Sequence, residues 1–343
     1  MRNFLNISKL VILGVLCLIT ETSQACDICG CFMGITPYDN QSTIGIMHRY
    51  RIFNGYSHLG QKKQFFPHGV NVLYPGAQGE NGHSHTHAPG TGAHDHGNNA
   101  QDYEAYRVIE VRGKYFIHKR LELNAYVPYT MNTSRTDGST TSLTGIGDIN
   151  LFAGYHLLRK IEVAGAQQRL IAGGGVKLPT GHYYKKDAEG VRYPLLLQPG
   201  TGAVDYFTYI NYIIGYRKIG LSINASYKLN GQNYYQEGIA NSTAQFVNLF
   251  YRFNPNPNWL IVPSAQFFYE NTKGEMLNGE LTGEHQMKNA LLGPGVDIFY
   301  KNISLNLAAQ LPVYEAATNH PSSAGRLVLG LNYNFNQTKY LLK

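Results

Sequence analysis

From residue 42 onward the chain alternates apolar and polar residues with a period of two. In 303–313 the odd positions are Ile303, Leu305, Leu307, Ala309, Leu311 and Val313, and the even ones are Ser304, Asn306, Ala308, Gln310 and Pro312. In 121–129, Leu121, Leu123, Ala125, Val127 and Tyr129 stand against Glu122, Asn124, Tyr126 and Pro128. The stretches 221–229 and 327–335 repeat the pattern. Side chains of a strand point alternately to its two faces, so each run predicts a strand with one apolar and one polar face. Many of the runs reach ten residues or more, whereas the strands of a soluble β-sandwich are usually nearer five or six, roughly.

The pattern predicts twelve strands, near 43–56, 103–117, 119–132, 143–158, 168–182, 203–217, 220–231, 244–254, 258–270, 286–300, 302–314 and 324–336. Tight connections are expected at His118, Lys218-Ile219, Pro255-Asn256-Pro257 and Lys301, and a somewhat longer one near Lys160 to Gln167. The intervening connections are longer and mostly polar. An even strand count with short turns at one end and long loops at the other is the arrangement of outer-membrane barrels. Composition agrees. Charged residues make 15% of the chain, against roughly 25% in soluble domains. Gly (37) and Tyr (26) are abundant. After residue 20 no apolar run reaches the ~18 residues of a transmembrane helix, which excludes a helical membrane protein. The expected fold is therefore all-β: a transmembrane antiparallel up-and-down β-barrel of about twelve strands over 43–336. It would sit in outer-membrane lipid with both termini in the periplasm, the 57–102 loop outside the cell and 337–343 as a tail.

Charge follows the same parity. Arg49, Arg51, Glu110, Arg112, Lys114, Glu122, Asp148, Lys177, Asp205, Lys228, Arg252 and Asp297 all fall opposite the apolar set. A charge on the lipid face costs roughly 2–4 kcal/mol at mid-bilayer, so these residues are the expected lining of the lumen. They carry both signs, which fits an internal salt-bridge network and equally a charged-walled pore. Tyr129, Tyr155, Tyr216, Trp259, Tyr269 and Tyr300 lie near strand ends, as interfacial aromatic girdles do. Pro128, Pro179, Pro263, Pro294 and Pro312 fall inside predicted strands and mark bulges or ends of pairing, because proline lacks the ladder N–H.

Residues 1–25 read as a secretory signal peptide: Arg2 and Lys9, an apolar core from Leu10 to Ile19, and a Ser23-Gln24-Ala25 cleavage site. The formal charge is +7, but the basic residues are scattered and the chain is exported, so nucleic acid is not an expected partner.

Two segments have the chemistry of metal ligands. The loop from Gly82 to Gly97 holds His83, His85, His87, His94 and His96, with Asp95 between the last two. Imidazole suits Zn, Cu and Ni, and a Gly-rich tether lets several rings converge. The segment 26–42 opens on Cys26, Cys29 and Cys31, followed by Met33, a set suited to Cu(I) or Zn(II). Copper or zinc is thus the candidate bound ion, and no cofactor is required. A Cys26–Cys29 disulfide with Cys31 left over is the alternative. No Gly-x-Ser-x-Gly, His-Glu-x-x-His or P-loop occurs, so there are no catalytic candidates and an enzyme is not expected.

Three stretches resemble a known family: Thr144-Gly145-Ile146-Gly147-Asp148-Ile149, Lys177-Leu178-Pro179-Thr180-Gly181, and Gln198-Pro199-Gly200-Thr201-Gly202-Ala203-Val204-Asp205. In this order they resemble the "MetA-pathway of phenol degradation" family of outer-membrane barrels, usually labelled transporters. The start from Cys26 to Gln41 is similar to a Cys-rich, His-rich subgroup in Bacteroidetes-type bacteria. The resemblance implies a barrel and a transport role, and supplies no catalytic residues. The subgroup's departure from the phenol-linked members favours a metal-related cargo. The expectation is an outer-membrane transporter or channel linked to Cu or Zn handling, with a small solute or metal ion as cargo and a periplasmic partner to receive it. A passive channel for small organic or aromatic solutes, and a closed binding or structural barrel, are the alternatives.

Overall fold

The computed structural model describes residues 41–56, 62–63, 102–136, 138–161, 165–283, 285–318 and 321–335. The expected signal peptide (1–25), most of the Cys-rich segment, nearly all of the His-rich loop and residues 336–343 lie outside them.

Twelve antiparallel strands form the wall. They are β1 (Ser42–Tyr56), β2 (Tyr103–His118), β3 (Leu121–Thr136), β4 in two segments (Ser139–Ile146 and Ile149–Lys160), β5 (Gln167–Leu178) and β6 (Asp205–Tyr216). There follow β7 (Ile219–Leu229), β8 (Ser242–Tyr251, prolonged by Phe253–Asn256), β9 (Trp259–Thr272), β10 (Gln286–Tyr300), β11 (Ile303–Thr318) and β12 (Pro321–Phe335). Each pairs with its sequence neighbours, and β1 pairs with β12 from Ser42↔Phe335 onward, so the sheet closes into an up-and-down barrel. Closure pairs the strands around the ring, as a lipid surround demands, although Ser139–Ile146 pairs on one side only, with β3. Three short strands, Glu237–Ile239, Glu275–Leu277 and Glu280–Leu281, form a separate small sheet from two loops of the long-loop end.

The two faces differ as the alternation requires. Ile44, Ile46, Val111, Leu151, Leu249, Leu307, Leu327, Leu329 and Leu331 are exposed on the outside. Tyr129, Tyr155, Tyr216, Trp259 and Tyr300 are exposed there too, with the rings of Trp259 and Tyr300 4.7 Å apart across β9 and β10. The inner face carries the buried residues, polar and apolar together. Met47, Phe246, Phe268, Leu291, Ala308 and Val328 form one inner apolar cluster, and Tyr126, Phe152, Ile171, Phe207 and Tyr209 another.

Several inner rings lie against the wall over glycines. A Cβ on Gly173 or Gly154 would run into the Tyr209 side chain, and on Gly220 into the Phe250 ring. Without those glycines the rings would have to stand out across the lumen.

Several local expectations are corrected by the structure. β4 is not one regular strand. Tyr129 faces Ile146 while Tyr126 faces Asn150, so three steps on β3 match four on β4. The extra residue is a bulge at Gly147-Asp148, where the Gly147 N–H donates to the Pro128 carbonyl (2.9 Å). The bulge shifts the inward set from odd positions (Leu143) to even ones (Asp148, Asn150, Phe152). β8 continues through Pro255 to Asn256, so its turn is shorter than expected; Arg252 interrupts the strand, and Pro263 of β9 falls beside that interruption. Pro312 lies at a register shift against Ala290/Leu291. β5 stops at Leu178 rather than 182. The segment 179–204 is not a simple external loop, because it turns inward.

Candidate functional site

The inward segment is held by one carboxylate. The bulge aims Asp148 into the lumen. There its Oδ1 accepts from the Gly181 N–H (3.0 Å), and its Oδ2 accepts from the Thr201 N–H and Oγ1–H (both 2.9 Å). Asp148 thus ties together the two ends of the 179–204 segment. Lys177, fully buried, bridges Asp148 (3.1 Å) and Asp205 (2.6 Å), and Lys228 pairs with Asp205 (2.7 Å). Lys177 also donates to Thr201 Oγ1. Two carboxylates and two ammoniums compensate one another, as buried charges must.

The backbone approaches closely around this tetrad. A Cβ on Gly181 would lie 2.7 Å from the Gly200 Cα and 2.9 Å from the Gly147 carbonyl carbon. Only glycine permits that approach. The Thr180 hydroxyl donates to the Gly147 carbonyl and accepts from the Ile149 N–H (both 3.0 Å). The three sequence motifs around 144–149, 177–181 and 198–205, far apart along the chain, therefore meet in one place.

Beyond the latch the segment is folded. Residues Leu195–Leu197 make a 3-10 turn with Leu195 and Leu197 buried. Asn132 of β3 donates to the carbonyls of Leu197 and Gln198 (both 3.2 Å). The Gln198 side chain joins the Lys185 and Tyr193 backbones, closing the base of the outer part. The 230–241 loop packs alongside, through Gly231 N–H to Asp205 Oδ1 (3.0 Å) and Asn233 Nδ2–H to the Thr201 carbonyl (3.2 Å). Between this inward segment and the β1–β3 wall lies a cavity of about 150 Å³, bordered by Arg49, Arg51, Tyr106, Leu195, Thr201 and Met287 among others.

The other charges named from parity are placed as follows. Glu110 joins Arg49 (3.3 Å) and Arg112, and Arg112 lies over the Tyr126 ring (4.4 Å to its centre). Arg51 is bidentate to Glu270 and lies over Phe53 (4.6 Å). Glu122 meets His156 at 3.3 Å. Lys114 lies over Phe116, 5.7 Å from the ring centre. Asp297 accepts from Asn306 (2.5 Å), and Arg252 donates to the Arg217 carbonyl (2.5 Å) near the short-turn end. Ten of the twelve are buried; Lys114 and Arg252 are half-buried. They gather in separate sets rather than one.

Reading by parity passed over Glu104, Glu270, Glu315 and Arg326, which are buried as well. Glu270 and Arg326 share the parity of the buried Phe268 and Val328, so the signal was present at the strand ends. The buried amides Asn124, Asn150, Asn211, Asn224 and Asn248 were also passed over. His83, His85, His87, His94, Asp95, His96, Cys26, Cys29 and Cys31 lie outside the described residues. Among the described residues, no three His, Cys, Asp or Glu side chains come together as a metal site.

Comparison with known proteins bears on this arrangement. The model of the family described as "Putative MetA-pathway of phenol degradation" matches residues 83–329. The chain belongs to that family. The match spans all three motifs that converge on Asp148. The solved COG4313 outer membrane channel from Pseudomonas putida F1 superposes with a TM-score of 0.58 at 15% identity, covering 88% of this chain and 100% of that one. The β domain of the Bordetella autotransporter BrkA gives 0.45 at 11% identity, covering 87% and 100%. A FadL homologue from Pseudomonas aeruginosa gives 0.37 at 12% identity, covering 87% and 91%. Comparison with curated proteins found no match. The fold is that of an outer-membrane barrel, and the chain is an outer-membrane protein.

Proposed function

We propose that this chain is an outer-membrane channel or transporter for small solutes, narrowed by its own β5–β6 segment, and not an enzyme. The observation that carries the reading is the Asp148 latch. It holds the 179–204 segment inside the barrel and leaves a cavity of about 150 Å³ beside it. A purely structural barrel could fill its lumen with side chains alone; here a loop is folded in and a space is kept. A cavity near 150 Å³ has room for one ring of about benzene size. The cavity therefore supports a small organic or aromatic cargo at least as well as any other.

The test is single-channel conductance of the purified protein in a planar bilayer. Step conductance that rises when the latch is removed by Asp148→Ala supports a channel narrowed by the loop. Silence in both proteins, with the barrel shown folded, leaves a closed binding or structural barrel.

A metal-linked form is the second reading. It is favoured by the five histidines within 83–96 and the three cysteines within 26–31, expected on opposite sides of the membrane. In it, the external loop gathers Cu or Zn and the periplasmic strip receives it, from where a periplasmic partner would take it on. Adding Cu or Zn to the same bilayer would change the steps, and the change would vanish when the five loop histidines become Ala. Steps indifferent to metal sink this form and leave the solute channel.

A further inference from the structure

The charges of the inner wall are not spread evenly along the barrel axis. At the level of the latch and above it they pair by sign: Arg49 with Glu110, Arg51 with Glu270, and Lys177 with Asp148 and Asp205. Toward the short turns the balance is lost. Arg169 of β5 is two residues from the buried Ile171 and so belongs to the inner face. Arg159 of β4 is its direct cross-strand partner, and the two guanidiniums leave the wall side by side. Arg252, two residues beyond the buried Phe250 of β8, reaches back across β7 and β6. Its Nη1 approaches Gln167 Oε1 at 3.5 Å, and its Nη2 lies 3.9 Å from where a Cβ on Gly215 would stand, Gly215 being the residue paired with Gln167. Arg252 thus comes to the strand that carries Arg169.

The charges of Arg159, Arg252 and Glu122 all bear on Arg169, and those of Glu122 and Arg169 bear on Lys114 of β2. Four cations therefore gather about one carboxylate, which also meets His156 at 3.3 Å. Among the described residues the other inward carboxylate at this end is Asp297, on β10, which accepts from Asn306. The adjoining turns add Lys119, Arg120, Arg217, Lys218 and Lys301, all exposed, and no carboxylate among the described residues. Glu162, in the turn after β4, lies outside those residues and offsets only one charge of this excess.

Like charges directly opposite each other on paired strands are destabilising, so holding Arg159 beside Arg169 works against the fold unless an anion is shared between them. A guanidinium presents a planar fork that meets a carboxylate with two parallel hydrogen bonds. Charges of one sign around an opening with low-dielectric walls concentrate counter-ions there, and rings of charged side chains select by sign in pores.

We infer that Arg159, Arg169 and Arg252, backed by Lys114, make the short-turn mouth of the lumen an anion filter that favours small carboxylate solutes over cations. The inference rests on the channel reading and adds the charge of the solute. A cavity with room for one ring at the latch and a guanidinium cluster at the far mouth together suit an aromatic carboxylate.

The experiment measures the reversal potential of the full chain, purified from an outer membrane, in a planar bilayer under a KCl gradient. Chloride should pass several-fold more readily than potassium. Arg169→Gln and Arg252→Gln should each lower that ratio, and the double variant should bring it close to one. Arg169→Lys keeps the charge and should keep the preference. Lys288→Gln, exposed near the opposite end of the barrel, should leave the ratio unchanged. Arg252→Gln stands in if Arg169→Gln fails to give the heat-shifted gel mobility of a folded barrel. With potassium benzoate in place of KCl, the wild type should still carry anion current. A wild type that prefers potassium, or has no preference, would overturn the inference. So would a ratio that neither glutamine variant moves, or a wild type that passes chloride and excludes benzoate. These outcomes leave the channel reading intact, whereas no conductance in any salt would sink the two together.

Discussion

Asp148 is the residue on which the interior depends. It neutralises one end of Lys177 and accepts three hydrogen bonds from the inward segment. Replacing it by Ala leaves Lys177 with Asp205 alone, and Asp205 also serves Lys228. Removing one partner of a buried ion pair strands the other charge and costs about 3–5 kcal/mol. Asp148→Ala should therefore lower the urea midpoint of the refolded barrel and open the 179–204 segment to protease. Asp148→Asn should do less, because its amide oxygen can still accept from Gly181. Equal midpoints and equal cleavage for wild type and Asp148→Ala would show that the latch does not hold the segment. The neighbouring glycines act through shape. Gly181→Ala would place a methyl 2.7 Å from the Gly200 Cα, and the two backbones would have to part. It should loosen the same segment, read by the same protease assay, while both ion pairs of Lys177 remain.

At the scale of elements, the β4 bulge decides which face Asp148 is on. A one-residue change of register turns every later side chain of a strand to the opposite face. Deleting Gly147 would remove the extra residue. It would direct either Asp148 or the set beyond it (Asn150, Phe152, His156) toward lipid, where a charge costs roughly 2–4 kcal/mol. The deletion is expected to abolish the heat-modifiable folded band, whereas Gly147→Ala should leave the band and weaken it. A normal band from the deletion would mean that the register is set elsewhere. This element also shows what alternation can and cannot reveal. The strands were legible because lipid on one side and a buried lumen on the other impose a period of two, and the inward charges follow from the same parity. The bulge was not legible, since Gly147-Asp148 breaks the period over only two residues. The inward turn of 179–204 left no period at all. Its signals were the apolar run Leu195-Leu196-Leu197 within a mostly polar loop, and motif glycines whose purpose is visible only where the chain crosses itself. Resemblance flagged those motifs; three-dimensional proximity explains them.

Among the described residues, a closed wall surrounds an interior in which one segment is tied by hydrogen bonds at its two ends. The wall's hydrogen bonds run strand to strand around the ring, so the inward segment can change without breaking it. Excising residues 183–197 and joining the ends with a short Gly-Ser linker would remove the 3-10 turn and the Leu195 and Leu196 wall of the cavity. It would leave Asp148, Lys177, Gly181, Thr201 and Asp205 in place. Long changes in surface loops cost little closure entropy, so the barrel should still fold, with an unchanged β-sheet signal in circular dichroism. If this segment is what narrows the lumen, unit conductance should rise several-fold and become less dependent on solute identity. If conductance is unchanged, the constriction lies deeper, among Phe250, Leu260, Val262 and Phe299, which cluster toward the short-turn end. The next variant to measure would then be Phe250→Ala, since this ring lies over Gly220 and its removal widens the lumen at that level without touching a charge.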